Sequence, residues 1–424
     1  MTHARAAFRY RDFRFFLIAR FLALAGHQMM IVALSQAVYE ATHDPIHLGY
    51  IGLTFFIPKI AFTLWAGQIA DRYARRNVIV ACRFLQTALT LGLIAITFVG
   101  LKPLWLFYAA VFALGTAYAF DGPSSQSIVT QVVPEKDFHN AVTWNSANFQ
   151  AAFIAGPAFG GWLYALLHGA PGVLWIVFGM RAVSAVLMTR IQPRTDHIES
   201  SEVNVKTLLA GLSYVFRNRI ILGAISLDLF AVLLGGATAL MPVFANDILK
   251  VGAWGLGFLR TAPAVGAAIV AVALAYMPPM RKAGKKMFAC VAVFGLSTVL
   301  FGLSRNFYFS LVCLFFLGAA DMISVIIRQV VIQVKTPPSM RGRVSAVNLI
   351  FIGASNELGE FESGLTASWF GTVPAVVVGG LGTLAVVALY SWRFPEIREY
   401  DRLKTDAESV TTSVMESGEE KKTS

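Results

Sequence analysis

The sequence is poor in charge. Only 14% of its 424 residues are Asp, Glu, Lys or Arg, against 56% hydrophobic residues, and the mean hydropathy is +0.63. A soluble domain carries nearer a quarter charged residues, and one core cannot hide this much apolar surface. Cysteine is scarce as well. Cys82, Cys290 and Cys313 lie far apart, each within an apolar stretch. They read as small packing residues, not as a disulfide set or a metal site. There is no Walker loop, no zinc-ligand spacing and no nucleophile elbow, which excludes ATP hydrolysis within the chain and leaves no enzyme motif. The net charge of +11 is not a nucleic-acid signature, because no segment interleaves the basic residues with aromatics on a soluble domain.

What the chain does have is apolar blocks of roughly 20 residues, the length a helix needs to cross about 30 Å of hydrocarbon. Twelve such spans are predicted, at 15–38, 48–70, 78–101, 104–129, 138–167, 173–188, 220–244, 254–277, 287–303, 307–331, 344–370 and 373–392. Lys and Arg fall mostly in every second connection. Arg72, Arg75 and Arg76 follow span 2, and Arg190, Arg194, Lys206, Arg217 and Arg219 follow span 6. Arg281, Lys282, Lys285 and Lys286 follow span 8, and Lys335, Arg341 and Arg343 follow span 10, whereas the opposite side shows only Lys102, Lys250 and Arg305. By the positive-inside rule both termini are expected in the cytoplasm, with the basic MTHARAAFRYRDFR flank retained ahead of span 1.

The longest internal connection lies at the midpoint of the span count. The expected organisation is a six-helix half at 1–190, a cytoplasmic linker at 191–219, a second six-helix half at 220–392 and a disordered cytoplasmic tail at 393–424. Within the linker, KTLLAGLSYVFRN has apolar residues at helical spacing and predicts an amphipathic helix on the membrane surface. The halves show traces of duplication. VTQVVP at 129–134 resembles VIQVKTPP at 331–338, and GPAFGG at 156–161 falls opposite GEFESG at 359–364, an offset of 203 residues. Asp121 and Asp321 stand near equivalent points of spans 4 and 10.

GQIADRYARRNV, at 67–78, resembles the signature of the major facilitator superfamily, and so implies that fold: an all-α membrane protein of twelve helices in two pseudo-symmetric halves. The resemblance assigns Gly67, Asp71, Arg72, Arg75 and Arg76 to a latch between the halves. The corresponding MPPMRKAGKK after span 8 keeps the basic residues and lacks the Gly and Asp. In span 5, Gly156, Pro157, Gly160 and Gly161 resemble the core of the motif of the antiporter branch, with Thr143 and Ala152 where further glycines would stand. Pro157 is expected to bend the helix and the glycines to pack closely at the half-to-half interface. The stretch from Ala119 to Gly161, RGRVSAVN at 341–348 and NELGEFESG at 356–364 are similar to the branch of enterobactin and macrolide exporters. The Arg-x-x-Gln-Gly motif of many proton antiporters is missing from span 4, where Asp121, Gly122 and Pro123 stand instead.

Ionisable residues at membrane depth are functional candidates, since each costs roughly 2.5–3.5 kcal/mol at a helix centre on insertion scales. The deep ones are Lys59, Asp121, Arg181, Asp228, Asp321, Glu357 and Glu360, with Arg20, Arg260 and Arg328 nearer the span ends. Asp321 and Arg328 are two turns apart on one face, which permits a pair bridged through a neighbour. Glu357, Glu360 and Glu362 crowd span 11 and cannot all be ionised in low dielectric, so at least one is expected to exchange a proton near neutral pH. Asp321, Glu357 and Glu360 are therefore preferred as proton carriers, while the bland reading makes all these acids counter-charges for the buried arginines. His27 and Gln28 are further candidates for a cavity wall.

The function expected is proton-coupled efflux of an amphipathic organic cargo, such as a siderophore or drug, by alternating access across a bacterial inner membrane. It would involve the bilayer and a small cargo, no nucleic acid, no cofactor beyond the proton gradient, and a single chain. A lysolipid-flipping carrier or a solute importer of the same fold, and a non-transporting sensor or scaffold, are the alternatives.

Overall fold

The computed structural model describes residues 6–192, 205–277, 282–337 and 340–398. The polar run 193–204 and the tail beyond 398 lie outside the described residues. The first half consists of α1 (Arg11–Thr42), α2 (Ile46–Arg72), α3 (Arg75–Phe98), α4 (Leu104–Ser127), α5 (Phe138–Leu166) and α6 (Ala170–Thr189). The second consists of α7 (Arg219–Leu234), α8 (Gly252–Ala275), α9 (Ala283–Leu303), α10 (Phe307–Lys335), α11 (Arg341–Phe370) and α12 (Thr372–Arg393). The expected twelve-helix, two-half architecture is therefore what the chain adopts.

The packing repeats. In the first half α1 lies against α5, α2 against α4 and α3 against α6; in the second α7 lies against α11, α8 against α10 and α9 against α12. The halves meet through α5 with α8 and α2 with α11. The glycine register of the duplicated segments has a physical basis here. A Cβ on Gly156 would stand 2.9 Å from the Ala25 carbonyl of α1, and one on Gly359 would stand 3.0 Å from the Val232 carbonyl of α7. Five residues on, a Cβ on Gly161 would run into the Ala253 carbonyl of α8, and one on Gly364 would stand 3.0 Å from the Gly49 amide of α2. Each pair thus binds its helix first to its own half and then to the other. Gly160 also faces α1, so of the span-5 glycines assigned to the interface only Gly161 crosses between halves.

Eight of the twelve helices are long and apolar enough to cross a membrane by composition among the described residues. Among the others, the described part of α2 to Phe62 is apolar but short, α7 has sixteen residues, and α5 and α11 fall short in composition. Both α5 and α11 lie at the half-to-half contact, where polar side chains need not face hydrocarbon.

The largest departure from the sequence reading is span 7. Instead of one helix over 220–244, α7 ends at Leu234, residues 235–240 are irregular, and the chain re-forms as Met241–Val243 and a π-helical turn at Phe244–Ile248. The Gly235–Gly236 pair is the cause. Two residues without side chains favour neither helix nor packing, and Gly236 sits where a Cβ would be 2.5 Å from the Gly359 carbonyl. The linker helix, Val205–Arg217, lies across the start of α11. Val215 is buried with Val344, Val347 and Ile332, and the Tyr214 hydroxyl donates to the Lys335 carbonyl at 3.1 Å.

Candidate functional site

Between the halves, near mid-depth, lies a cavity of about 330 Å³. Its apolar wall comprises Phe153 and Pro157 of α5, Val232 of α7, Phe294 of α9 and Leu317 of α10. Its polar groups are Gln28 (α1), Gln150 (α5), Arg260 (α8), Asp321 (α10), and Asn356 and Glu360 (α11). The irregular segment after α7 completes the wall with Gly235, Gly236 and Thr238. Among the described residues neither Asp321 nor Glu360 makes an ion pair, and the Arg260 Nε is buried with no hydrogen-bond partner. One cation and two carboxyl groups therefore face an enclosed space without being used up by each other.

The other deep charges are spoken for. Lys59 of α2 reaches across the interface to Glu357 of α11 at 3.0 Å, with its Nζ 4.2 Å from the Phe55 ring centre. In the first half Asp121 pairs with Arg83 at 2.9 Å, both side chains 6% exposed, and accepts a further bond from Ser125. Arg20 donates to the Ser125 carbonyl at 3.1 Å and so joins α1 to the cluster. Arg181, fully buried, has no carboxylate partner among the described residues. It donates instead to the Gln86 carbonyl, the Thr90 hydroxyl and the Tyr118 hydroxyl, tying α6 to α3 and α4. His27 packs against Tyr118, ring centres 4.5 Å apart, and does not line the cavity, whereas its neighbour Gln28 does.

In the second half Arg328 pairs with Asp228 of α7. Asp321 and Arg328 make no direct ion pair; the guanidinium turns to Asp228, which lines a small pocket together with Asp321, and Asp321 also faces the cavity.

The halves are clasped at the end remote from the N-terminus. Gln36 of α1 and Asn246 of the π-helical turn exchange amide hydrogen bonds of 2.8 and 3.1 Å. The Tyr39 hydroxyl donates to Asp247, while Gln36 and Tyr164 both donate to Glu40. Toward the other end the cavity-lining faces continue as exposed residues, Val142 and Phe149 on α5 and Leu349 on α11. The site is therefore shut at the far face and approachable from the face that carries the N-terminus.

The sequence that builds these two repeated bundles matches the Major Facilitator Superfamily over residues 16–360. The chain belongs to the Major Facilitator Superfamily. It is similar to the enterobactin exporter EntS of Shigella boydii serotype 18, with 23% identity over 404 residues covering 92% of this chain and 93% of the relative. Among solved structures it resembles the nucleoside transporter NupG, with a TM-score of 0.69 at 14% identity, covering 91% of this chain and 99% of that one. It also resembles a bacterial homologue of the human lysosomal transporter Spinster in an inward-facing, occupied conformation. There the TM-score is 0.70 at 14% identity, covering 92% and 98%. The chain is thus a multi-pass membrane transporter of this superfamily.

The superfamily signature of this transporter occupies the end of α2 and the start of α3. Gly67 and Arg72 are in the last turns of α2, Arg75 and Arg76 begin α3, and Arg76 donates to the Thr189 carbonyl at the end of α6. The Asp71 side chain lies outside the described residues. Sequence reasoning missed Arg83, although an arginine at the sixth position of an apolar span is the same signal that found Arg181. It placed Arg260 toward a span end, where the structure puts it on the cavity wall. The Gln36–Asn246 clasp has no motif, because two amides from helices 210 residues apart meet only in the fold.

Proposed function

We propose that this transporter exports an amphipathic organic molecule in exchange for protons, by rocking its halves about the mid-depth cavity. The observation that carries the reading is that cavity: apolar walls for an apolar body, three amides and Arg260 for polar groups, and two carboxyl groups, Asp321 and Glu360, without ion-pair partners among the described residues. Solvent-accessible carboxyl groups beside the cargo can load and lose protons as access alternates. Lys59–Glu357 joins α2 to α11 across the halves, so protonating Glu357 removes one attraction that holds them together. Export is favoured by the likeness to enterobactin exporters. Cytoplasmic termini follow from the alternation of Lys and Arg, and the Gly67–Asp71–Arg72–Arg75–Arg76 latch then closes the cytoplasmic side when the far face opens. A bacterial inner membrane, a single working chain and the proton gradient as the only energy source complete the proposal.

The test is transport into everted vesicles of siderophores, macrolides and lysolipids, with and without an uncoupler. Uncoupler-sensitive accumulation of a siderophore or macrolide is the expected result. Accumulation that ignores the uncoupler, or that runs only in the opposite direction, overturns coupling or export respectively.

A further inference from the structure

A second site lies far from the cavity, where the linker helix turns into α7 beside the end of α12. Two depressions of about 410 and 430 Å³ adjoin there and share Arg219 and Glu396. Three arginines line them, Arg217, Arg219 and Arg393, against one carboxylate. Glu396 takes Arg219 at 3.2 Å in a half-exposed pair, and among the described residues Arg217 and Arg393 make no ion pair.

The backbone adds donors of its own. Asn218 caps α7 by accepting from the Ile221 amide at 3.2 Å, and the amides of Arg219 and Ile220 make no hydrogen bond among the described residues. Both residues line the larger depression. A sixteen-residue helix presents the positive end of its dipole there, next to three guanidinium groups, which is the chemistry that holds a phosphate.

Depth identifies the source of that phosphate. Trp392 lines the smaller depression and is 77% exposed at the end of α12. Val378, Leu381 and Leu389 are exposed on the same side of that helix, at helical spacing, and form an apolar ridge leading away from the pocket along the span. An indole at the end of such a ridge marks the boundary between hydrocarbon and headgroups. A free anion would use the arginines and leave the ridge idle. We infer that this corner binds an anionic phospholipid of the leaflet on the N-terminal face, its phosphate on Arg219, Arg393 and the α7 amides and an acyl chain along α12. The lipid would brace the joint between the linker helix and α7, the first helix of the second half.

The probes are phosphatidylglycerol, cardiolipin, phosphatidylcholine and inorganic phosphate, added to the full chain in a neutral detergent. The readouts are the thermal midpoint and lipid retention in native mass spectrometry. The two anionic lipids are expected to raise the midpoint by about 3 °C or more and to stay bound, while phosphatidylcholine and phosphate do neither. Arg219→Gln with Arg393→Gln should abolish the response. Glu396→Gln, which frees Arg219 without removing a cation, should strengthen it and gives a readout even if the double variant fails to fold. An equal shift with inorganic phosphate, an undiminished lipid response in the double variant, or a weaker one in Glu396→Gln overturns the assignment.

Discussion

Asp121 and Asp321 stand within a turn of equivalent points of α4 and α10, three residues off the 203-residue register, yet the halves use them in different ways. In the first half Arg83 of α3 reaches Asp121, Arg20 of α1 joins through Ser125, and the cluster is closed. In the second half α9 offers only Lys285 and Lys286, both exposed near its start, and the one buried arginine of α10 is taken by Asp228. Asp321 is left facing the cavity. One half has thus matched its deep acid with a counter-ion, and the other has left a nearby acid without an ion pair among the described residues. The first half holds its deep acid in matched charges; in the second, the unpaired acid is the one that the proposed function has change its state.

The comparison breaks most readily by neutralising each aspartate in turn. Asp121→Asn leaves Arg83 buried without a partner, a loss of about 3–5 kcal/mol by analogy with buried pairs in soluble proteins. Expression, thermal midpoint and all transport modes should fall together in a fluorescence-based unfolding assay and in proteoliposomes. Asp321→Asn should leave the midpoint nearly unchanged and downhill exchange intact while abolishing uphill, gradient-driven efflux. If both variants lose stability alike, the two halves do not differ as described. Arg260→Gln sharpens the picture of the cavity. Losing a charge-assisted hydrogen bond of about 1.5–3 kcal/mol should raise the half-saturating cargo concentration roughly ten-fold or more, with folding unaffected. The smallest effect is expected at the far-face clasp. Asn246→Ala removes a neutral amide pair of about 1 kcal/mol and should shift the conformer ratio toward the opposite opening about five-fold, as read by cysteine accessibility from the two sides.

The fold was legible because lipid enforces a simple rule, long apolar runs with charge sorted between their ends. Deep charges were legible as a set for the same reason, since each stands out against its span. Their pairing was not. Arg328 lies one helical face from Asp321 in sequence and turns instead to Asp228, a hundred residues away, because the helix that approaches that face of α10 is α7. The Gly235–Gly236 pair was visible but silent. A single window of hydropathy runs through it unbroken, and only the close approach of Gly359 explains why the helix stops there.

That interruption leaves its mark on the cavity wall. None of Gly236, Ala237 and Thr238 donates to the carbonyl four residues before it; Ala237 bonds to Gly235 instead, at 2.7 Å. The carbonyls of Val232, Leu233 and Leu234 thereby lose their helical partners at a depth where lipid offers none, and such backbone is tolerated only against protein or water. The carbonyls of Val232 and Leu233 lie against Gly359 of α11 and that of Leu234 against Gly379 of α12, so two side-chain-free positions are what cover them. A larger residue at Gly359 or Gly379 would press on that unpaired main chain, so the interruption of α7 holds only while both positions stay small.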